Sequence, residues 1–301
     1  MDDDVLRHAR SFGPVADAYH RGRPTFPVEA AQWLVGPNPA TVLELGAGTG
    51  KLTAVLAELG HDVHATEPDP GMLKVLKRHL PDVPTSESGA EEIPLPDRSV
   101  DVVVAAQSFH WFDHERALPE IARVLRPGGF LALVWNTRDT RIPWVRKLGQ
   151  VLRDQQQLEA STESSVEALV HSDLFGFVDE HKVHFWQDVN RESIVDLVAS
   201  RSYVATLDED ARAEKLAQVL ALYDDYGRGM DGMQLPYYCE CFRAQVVDRP
   251  DAPPPARSDD ADDETDGPPA DAPSPATDEE DGDGRRVSDG TDTDMLLIDF
   301  R

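Results

Sequence analysis

The chain has 301 residues, with 29 Lys and Arg against 56 Asp and Glu, a net charge of −27. Sixteen acidic and three basic residues fall within 251–294, which leaves −14 for the rest. That stretch is rich in Pro and Gly and nearly free of large apolar side chains, so it cannot bury enough surface to offset the entropy of ordering. The expected organisation is one folded domain over 1–249 and a disordered acidic tail over 250–301, with an apolar end at 295–301. The N-terminus is acidic, Met1-Asp2-Asp3-Asp4, and no apolar stretch follows it, so a signal peptide is not expected. No run approaches the roughly 18–20 apolar residues that span a bilayer, so no membrane partner is expected. The acid excess argues against nucleic acid, because phosphate binding needs clustered Lys and Arg. Cys239 and Cys241 share one face of a strand, are poorly placed for a mutual disulfide, and are too few for a cysteine-rich zinc site. The expectation is a soluble cytoplasmic protein without a metal.

In chain order, 41–45 (TVLEL) reads as a buried strand ending in glycines. A helix over 51–59 follows, with Gly60 at its C-terminal end. Residues 62–66 form a second strand and 71–80 a helix begun by Pro70. A third clear strand covers 100–106, a helix 114–125 with Asp113 placed to cap it, and a strand 130–135 after the turn Arg126-Pro127-Gly128-Gly129. This alternation predicts an α/β fold with a mostly parallel sheet and helices on both faces. Beyond Asn136 the pattern predicts helices over 143–157 and 163–171, a strand over 180–186, and helices over 191–202 and 208–226. With no helix after it, 234–247 reads as an antiparallel closing strand.

The chemistry begins at Glu44-Leu45-Gly46-Ala47-Gly48-Thr49-Gly50, a glycine-rich turn between a buried strand and a helix. Such a turn lets a ligand approach the backbone, at the carboxyl end of the strand where open α/β sheets bind ligands. The free N–H groups opening the following helix favour an anionic group such as a carboxylate. A dinucleotide fingerprint spaces its glycines G-x-G-x-x-G, whereas here the spacing is G-x-G-x-G. Glu67, at the end of the second strand, is placed to accept both hydroxyls of a ribose.

At these residues the chain resembles the class I S-adenosylmethionine-dependent methyltransferases. The resemblance spans most of 10–244 and rests on LELGAGTG (43–50), ATEPD (65–69), GAEEIPLPDRSVDVVVAAQSFHWFD (89–113) and RVLRPGGFLALVW (123–135). The segments FGPVADAYHRGRPTFP (12–27) and SFHWFD resemble the subgroup similar to trans-aconitate methyltransferases. The resemblance implies a Rossmann-like sheet of seven strands with the last antiparallel, and S-adenosylmethionine as cofactor. By the same resemblance Glu44, Gly46 and Gly48 line the methionine half of the cofactor and Gln107 lies near the sulfonium. Glu67 holds the ribose hydroxyls, and Pro68, Ala90 and Glu91 border the adenine. His110 is the candidate base, to be weighed against a packing or cofactor-lining role. His110 and His114 make an H-x-x-x-H spacing, but the helix beginning between them keeps them off one helical face.

On the acceptor side the candidates are Tyr19 and Arg23 in the N-terminal segment, Trp135 and Asn136 at the end of their strand, and Arg201, which can clamp a carboxylate bidentately, with Tyr203 close by in the chain. The expected activity is in-line methyl transfer to a small-molecule acceptor, with a carboxylate as one class. The alternatives are a non-catalytic cofactor-binding or interaction protein and an NAD-dependent oxidoreductase. Oligomeric state is not legible in the sequence.

Overall fold

Strands β1 (Thr41–Leu45), β2 (Asp62–Thr66) and β4 (Val100–Ala106) alternate between two apolar faces, and that parity organises the molecule. Leu43, Leu45, Val103 and Ala105 point to one side; Val42, Val102 and Val104 point to the other. The computed structural model describes residues 15–152, 155–201, 204, 207–226 and 232–247. These all lie in one compact unit, Met1–Asp251. The acidic tail, the apolar end at 295–301 and Tyr203 lie outside the described residues.

The sheet has seven strands in the order β3-β2-β1-β4-β5-β7-β6, with β3 at Thr85–Ser86, β5 at Leu125–Arg138, β6 at Phe175–Val189 and β7 at Met233–Val246. β1 pairs in parallel with β2 and β4, and β4 with β5, while β7 runs antiparallel to both β5 and β6. The expected sheet, with its reversed last strand, is present. The two-residue β3 was not expected from the sequence, being too short for any period to register.

Helices α1 (Ala16–Gly22), α2 (Val28–Val35) and α3 (Lys51–Glu58) precede α4 (Pro70–His79). α4 starts as expected, with Pro70 in its first turn and the Asp69 carboxylate accepting from the N–H groups of Gly71 (2.7 Å) and Met72 (3.1 Å). In α5 (His114–Val124), Ala117, Leu118, Ile121 and Val124 form the buried stripe. Asp113 holds the N-cap position of α5 but makes no side-chain capping bond; its own N–H donates to Glu91 Oε1 at 2.9 Å.

Two expectations are corrected. The Arg126-Pro127-Gly128-Gly129 segment is not a turn ahead of the strand but part of β5: Val100 pairs with Leu125 and Val102 with Phe130, so the segment bulges from a continuing ladder. Helix is described over Pro143–Leu152 (α6) and Gln155–Val170 (α7), so residues 158–162, expected as a break between two helices, are helical. α8 (Arg191–Ala199) and α9 (Glu209–Tyr226) complete the described helices.

α5 and α7 cover the face of Leu43 and Trp135, and α2 and α3 cover that of Val42 and Val134. A third cluster joins α6, α8 and α9 to the ends of β6 and β7 through Leu148, Leu197, Val219 and Leu235. Among the described residues no helix is long and apolar enough to cross a membrane.

Candidate functional site

A cleft of about 410 Å³, counting its open mouth, lies over the carboxyl ends of β1, β4 and β5 on the side covered by α2 and α3. Its floor is the glycine turn. Gly46 and Gly48 hold φ of 65° and 58°, in the left-handed region. A Cβ on Gly46 would stand 2.6 Å from Ser108 Cβ, whereas one on Gly48 would meet nothing within 4 Å. The loop is tied to β2 by the Ala47 N–H, which donates to Thr66 O at 2.9 Å.

Two acidic side chains sit beneath this loop. Glu44 is 1% exposed, and its Oε2 accepts from Thr53 Oγ1 at 2.6 Å. Burial pushes its carboxyl up to about 8, helped by the charge of Glu67 and opposed by the Thr53 bond. Glu67 accepts from the Gly48 N–H (2.8 Å) and the Asp69 N–H (2.9 Å). Burial raises its carboxyl to about 7 against those two bonds. Both acids are thus poised near neutrality beside a loop of backbone N–H groups.

The rest of the lining comes from Ala106 and Gln107 at the end of β4, Asn136 at the end of β5, Lys51 and Leu52 of α3, and Tyr19, Arg23, Pro24 and Phe26. Gln107 keeps φ of 56°, uncommon for a residue with a side chain, and its Nε2 donates to Asn136 O at 3.2 Å. Lys51 has its pKa lowered by burial.

The N-terminal wall is held from far away in the chain. Arg23 donates from Nε to Ser200 Oγ (2.9 Å) and stacks over the Tyr19 ring at 5.0 Å. Arg21 makes a two-point contact with Asp196, at 2.8 and 2.9 Å, and Gln187 Nε2 donates to Gly22 O at 2.9 Å. Gly22 lies flush on α8, where a Cβ would come within 2.3 Å of the Asp196 carbonyl carbon. On its other side α1 meets α4, through an Asp17–Arg78 ion pair and the His20 and His79 rings stacked at 4.0 Å.

Of the residues expected from the sequence, the cleft gathers Glu44, Gly46, Gly48, Gln107, Tyr19 and Arg23, with Glu67 bonded to the loop from below. Arg201 stands outside the lining, directly after Ser200, the partner of Arg23. Pro68, Ala90 and Glu91 stand outside the lining; Ala90 packs in the core with Leu43 and Phe109. His110, in a 3-10 turn at Phe109–Trp111, also stands outside it. Burial drives its pKa down to about 4, with His114 adding to the shift, and its Nδ1 has no partner among the described residues. His114 is turned away, with Nε2 on Phe109 O at 3.0 Å.

Trp135 is the correction on the acceptor side. It is 0% exposed and packs edge-on against Phe242 in the core beneath α5 and α7. Its neighbour Asn136 faces the cleft instead, because successive residues of a strand point to opposite faces. Asn136 is thus the half of the expected strand-end pair that lines the cleft, and Lys51 is a cleft residue that the expected set omitted. Lys51 follows the glycine turn directly, and Asn136 is separated by strand parity from the inward-facing Trp135.

A family model described as a methyltransferase domain matches residues 43–133. An uncharacterized methyltransferase of Mycobacterium tuberculosis is 45% identical over 241 residues, covering 79% of this chain and 96% of that protein. A malonyl-[acyl-carrier protein] O-methyltransferase of Methylococcus capsulatus is 39% identical over 104 residues, 33% of this chain and 38% of its own length. Among solved structures, a putative type II methyltransferase from Anaeromyxobacter dehalogenans superposes with a TM-score of 0.54 at 25% identity, covering 74% of this chain and 97% of that one.

Proposed function

The chain belongs to the class I S-adenosylmethionine-dependent methyltransferases, and on that premise we propose that it methylates a small molecule bearing a carboxylate. The observation that carries the reading is a cation in the cleft: Arg23 faces it, while His110 stands back from it with a depressed pKa. A carboxylate is ionised at pH 7 and needs positioning rather than a base. The resemblance of the 12–27 and SFHWFD segments to the trans-aconitate methyltransferase subgroup supports an acid. So, more weakly, does the O-methyltransferase name of the malonyl-[acyl-carrier protein] relative.

The residues present fit S-adenosylmethionine. The space over Gly48, the acidic Glu44 and the cationic Lys51 at the opening of α3 match a zwitterionic amino-acid group. The cofactor supplies a methyl already made electrophilic by its sulfonium. In this reading Glu44, Gly46, Gly48 and Gln107 receive the methionine half. Glu67 takes the ribose hydroxyls with lone pairs left over from its two backbone bonds, and Pro68, Ala90 and Glu91 border the adenine. Arg23 holds the acceptor acid together with Arg201, the residue after Ser200, and Tyr19 closes the site. The protein's work is alignment and exclusion of water.

The test is a screen of metabolite extracts with methyl-labelled cofactor. The expected product is a small, base-labile methyl ester. Label on an amine, or on protein, contradicts the reading. On the identified acceptor, Arg201→Ala raises KM strongly and His110→Ala leaves the pH profile over 5–9 unchanged. A phenol or alcohol acceptor would instead make His110 worth about 10²–10⁴-fold.

A further inference from the structure

Asn136 is 4% exposed, and its side-chain oxygen is buried with no hydrogen-bond partner among the described residues. The orientation of its amide is fixed by its surroundings. Nδ2 lies 3.2 Å from Thr25 O, a carbonyl that can only accept, so the NH₂ group must face Thr25 and Oδ1 the opposite way. The backbone carbonyl of Asn136 is taken separately by Gln107 Nε2 at 3.2 Å. A buried acceptor left open in this way is costly, and native structures rarely keep one unless a ligand or water satisfies it. Asn136 lines the same cleft as Glu44, the glycine turn and Lys51.

The cleft therefore offers two kinds of group. Lys51 and Arg23 are cations suited to a carboxylate; Glu44 and Asn136 Oδ1 are acceptors suited to N–H donors. We infer that Asn136 recognises the α-ammonium group of the cofactor's amino-acid end, its Oδ1 accepting one ammonium hydrogen. The second amide atom, spent on Thr25, orients the first. The inference rests on family membership and on the cleft, and is independent of which acceptor is methylated.

The test is calorimetric titration of the full chain with two probes, S-adenosylhomocysteine and its analogue lacking the α-amino group. The wild-type protein prefers the aminated probe. Asn136→Ala should cut that preference about tenfold or more, by weakening the aminated probe while leaving the deaminated one nearly untouched. Loss of the Thr25 contact alone would weaken both probes equally, so a structural role does not mimic the result. Asn136→Asp keeps an acceptor oxygen but loses the donor to Thr25, so it should weaken both probes while still favouring the aminated one. An equal loss for both probes with Asn136→Ala, or no loss for either, overturns the inference. A thermal melt of each variant shows that it is folded before titration.

Discussion

Glu44 and Thr53, nine residues apart, close the floor of the cleft with one hydrogen bond, whereas Arg23 and Ser200, 177 residues apart, close its rim with another. The floor is local. One strand, one glycine turn and the first turn of one helix place Glu44, Gly46, Gly48 and Lys51, and β2 adds Glu67 through its bond to Gly48. The rim is assembled when α1 docks between α4 and α8, and when Asn136 at the end of β5 reaches Thr25. A floor made of backbone in fixed conformations suits a ligand common to a whole family. A rim made of side chains from distant segments can be rebuilt for a new acceptor without disturbing the floor.

The largest expected effect breaks the floor. Gly46→Ala imposes a left-handed backbone on a residue with a Cβ, about 1–2 kcal/mol, and drives that Cβ against Ser108, where overpacking adds about 1–3 kcal/mol. Ser108 cannot easily yield, because its Oγ donates to Leu45 O at 2.8 Å. Chemical denaturation should show the summed loss, and calorimetry the loss of cofactor binding. A variant of wild-type stability that still binds would mean the floor is pliable.

Glu67→Ala comes next. It removes a carboxylate expected to accept from the ribose, at about 1.5–3 kcal/mol per bond to a charged group. Affinity for S-adenosylhomocysteine should fall at least tenfold, while acceptor KM, measured at saturating cofactor, should change little. An unchanged affinity places the ribose elsewhere.

Gly22→Ala sharpens the contrast from the rim. The added Cβ would strike the α8 backbone, lifting α1 and the Arg23–Ser200 bond with it, at a cost of about 1–3 kcal/mol. Acceptor KM should rise more than the dissociation constant of S-adenosylhomocysteine. If the two change by the same factor, rim and floor are not separable.

How much of this was legible follows the same division. The strand–turn–helix around Gly46 carries its signal within a dozen residues, and Glu67 lies one strand further on; both were readable. That β1, β2, β4 and β5 are strands was readable too, because each is an apolar run bounded by turn residues. The rim was not. Tyr19 and Arg23 could be singled out, but nothing in one sequence pairs Arg23 with Ser200 or Gly22 with Asp196. Trp135 and Asn136 were both expected at the acceptor pocket because they end the same strand, yet the alternation of Leu131, Leu133 and Trp135 assigns Trp135 to the face opposite Glu44. The same parity points Asn136 into the cleft. The bulge at Arg126-Pro127-Gly128-Gly129 was read as a turn because local residue preference cannot see that the ladder resumes beyond it.

The smallest effect is a slope in pH. Glu44 and Glu67 keep protons up to about 8 and about 7 in the fold, whereas in the unfolded chain both ionise near the ordinary carboxylate value. Between pH 6.5 and 8 the folded state therefore binds more protons, and stability falls as pH rises. His20 and His110, both lowered to about 4, act in the opposite sense only below about 6.5, where the unfolded histidines charge. Melting temperature of the ligand-free protein should decline gently over pH 6.5–8, and Glu44→Gln should flatten that decline. A rise over this range would show that both acids are ionised in the fold.

In the proposed reading the glycine turn and Glu67 together form the cofactor seat, and a crystal structure with S-adenosylhomocysteine checks this. The expected result is both ribose hydroxyls within hydrogen-bond distance of the Glu67 carboxylate and the amino-acid end over Gly46 and Gly48. A cofactor bound with its ribose away from Glu67, or an unfilled cleft over Gly48, would contradict it.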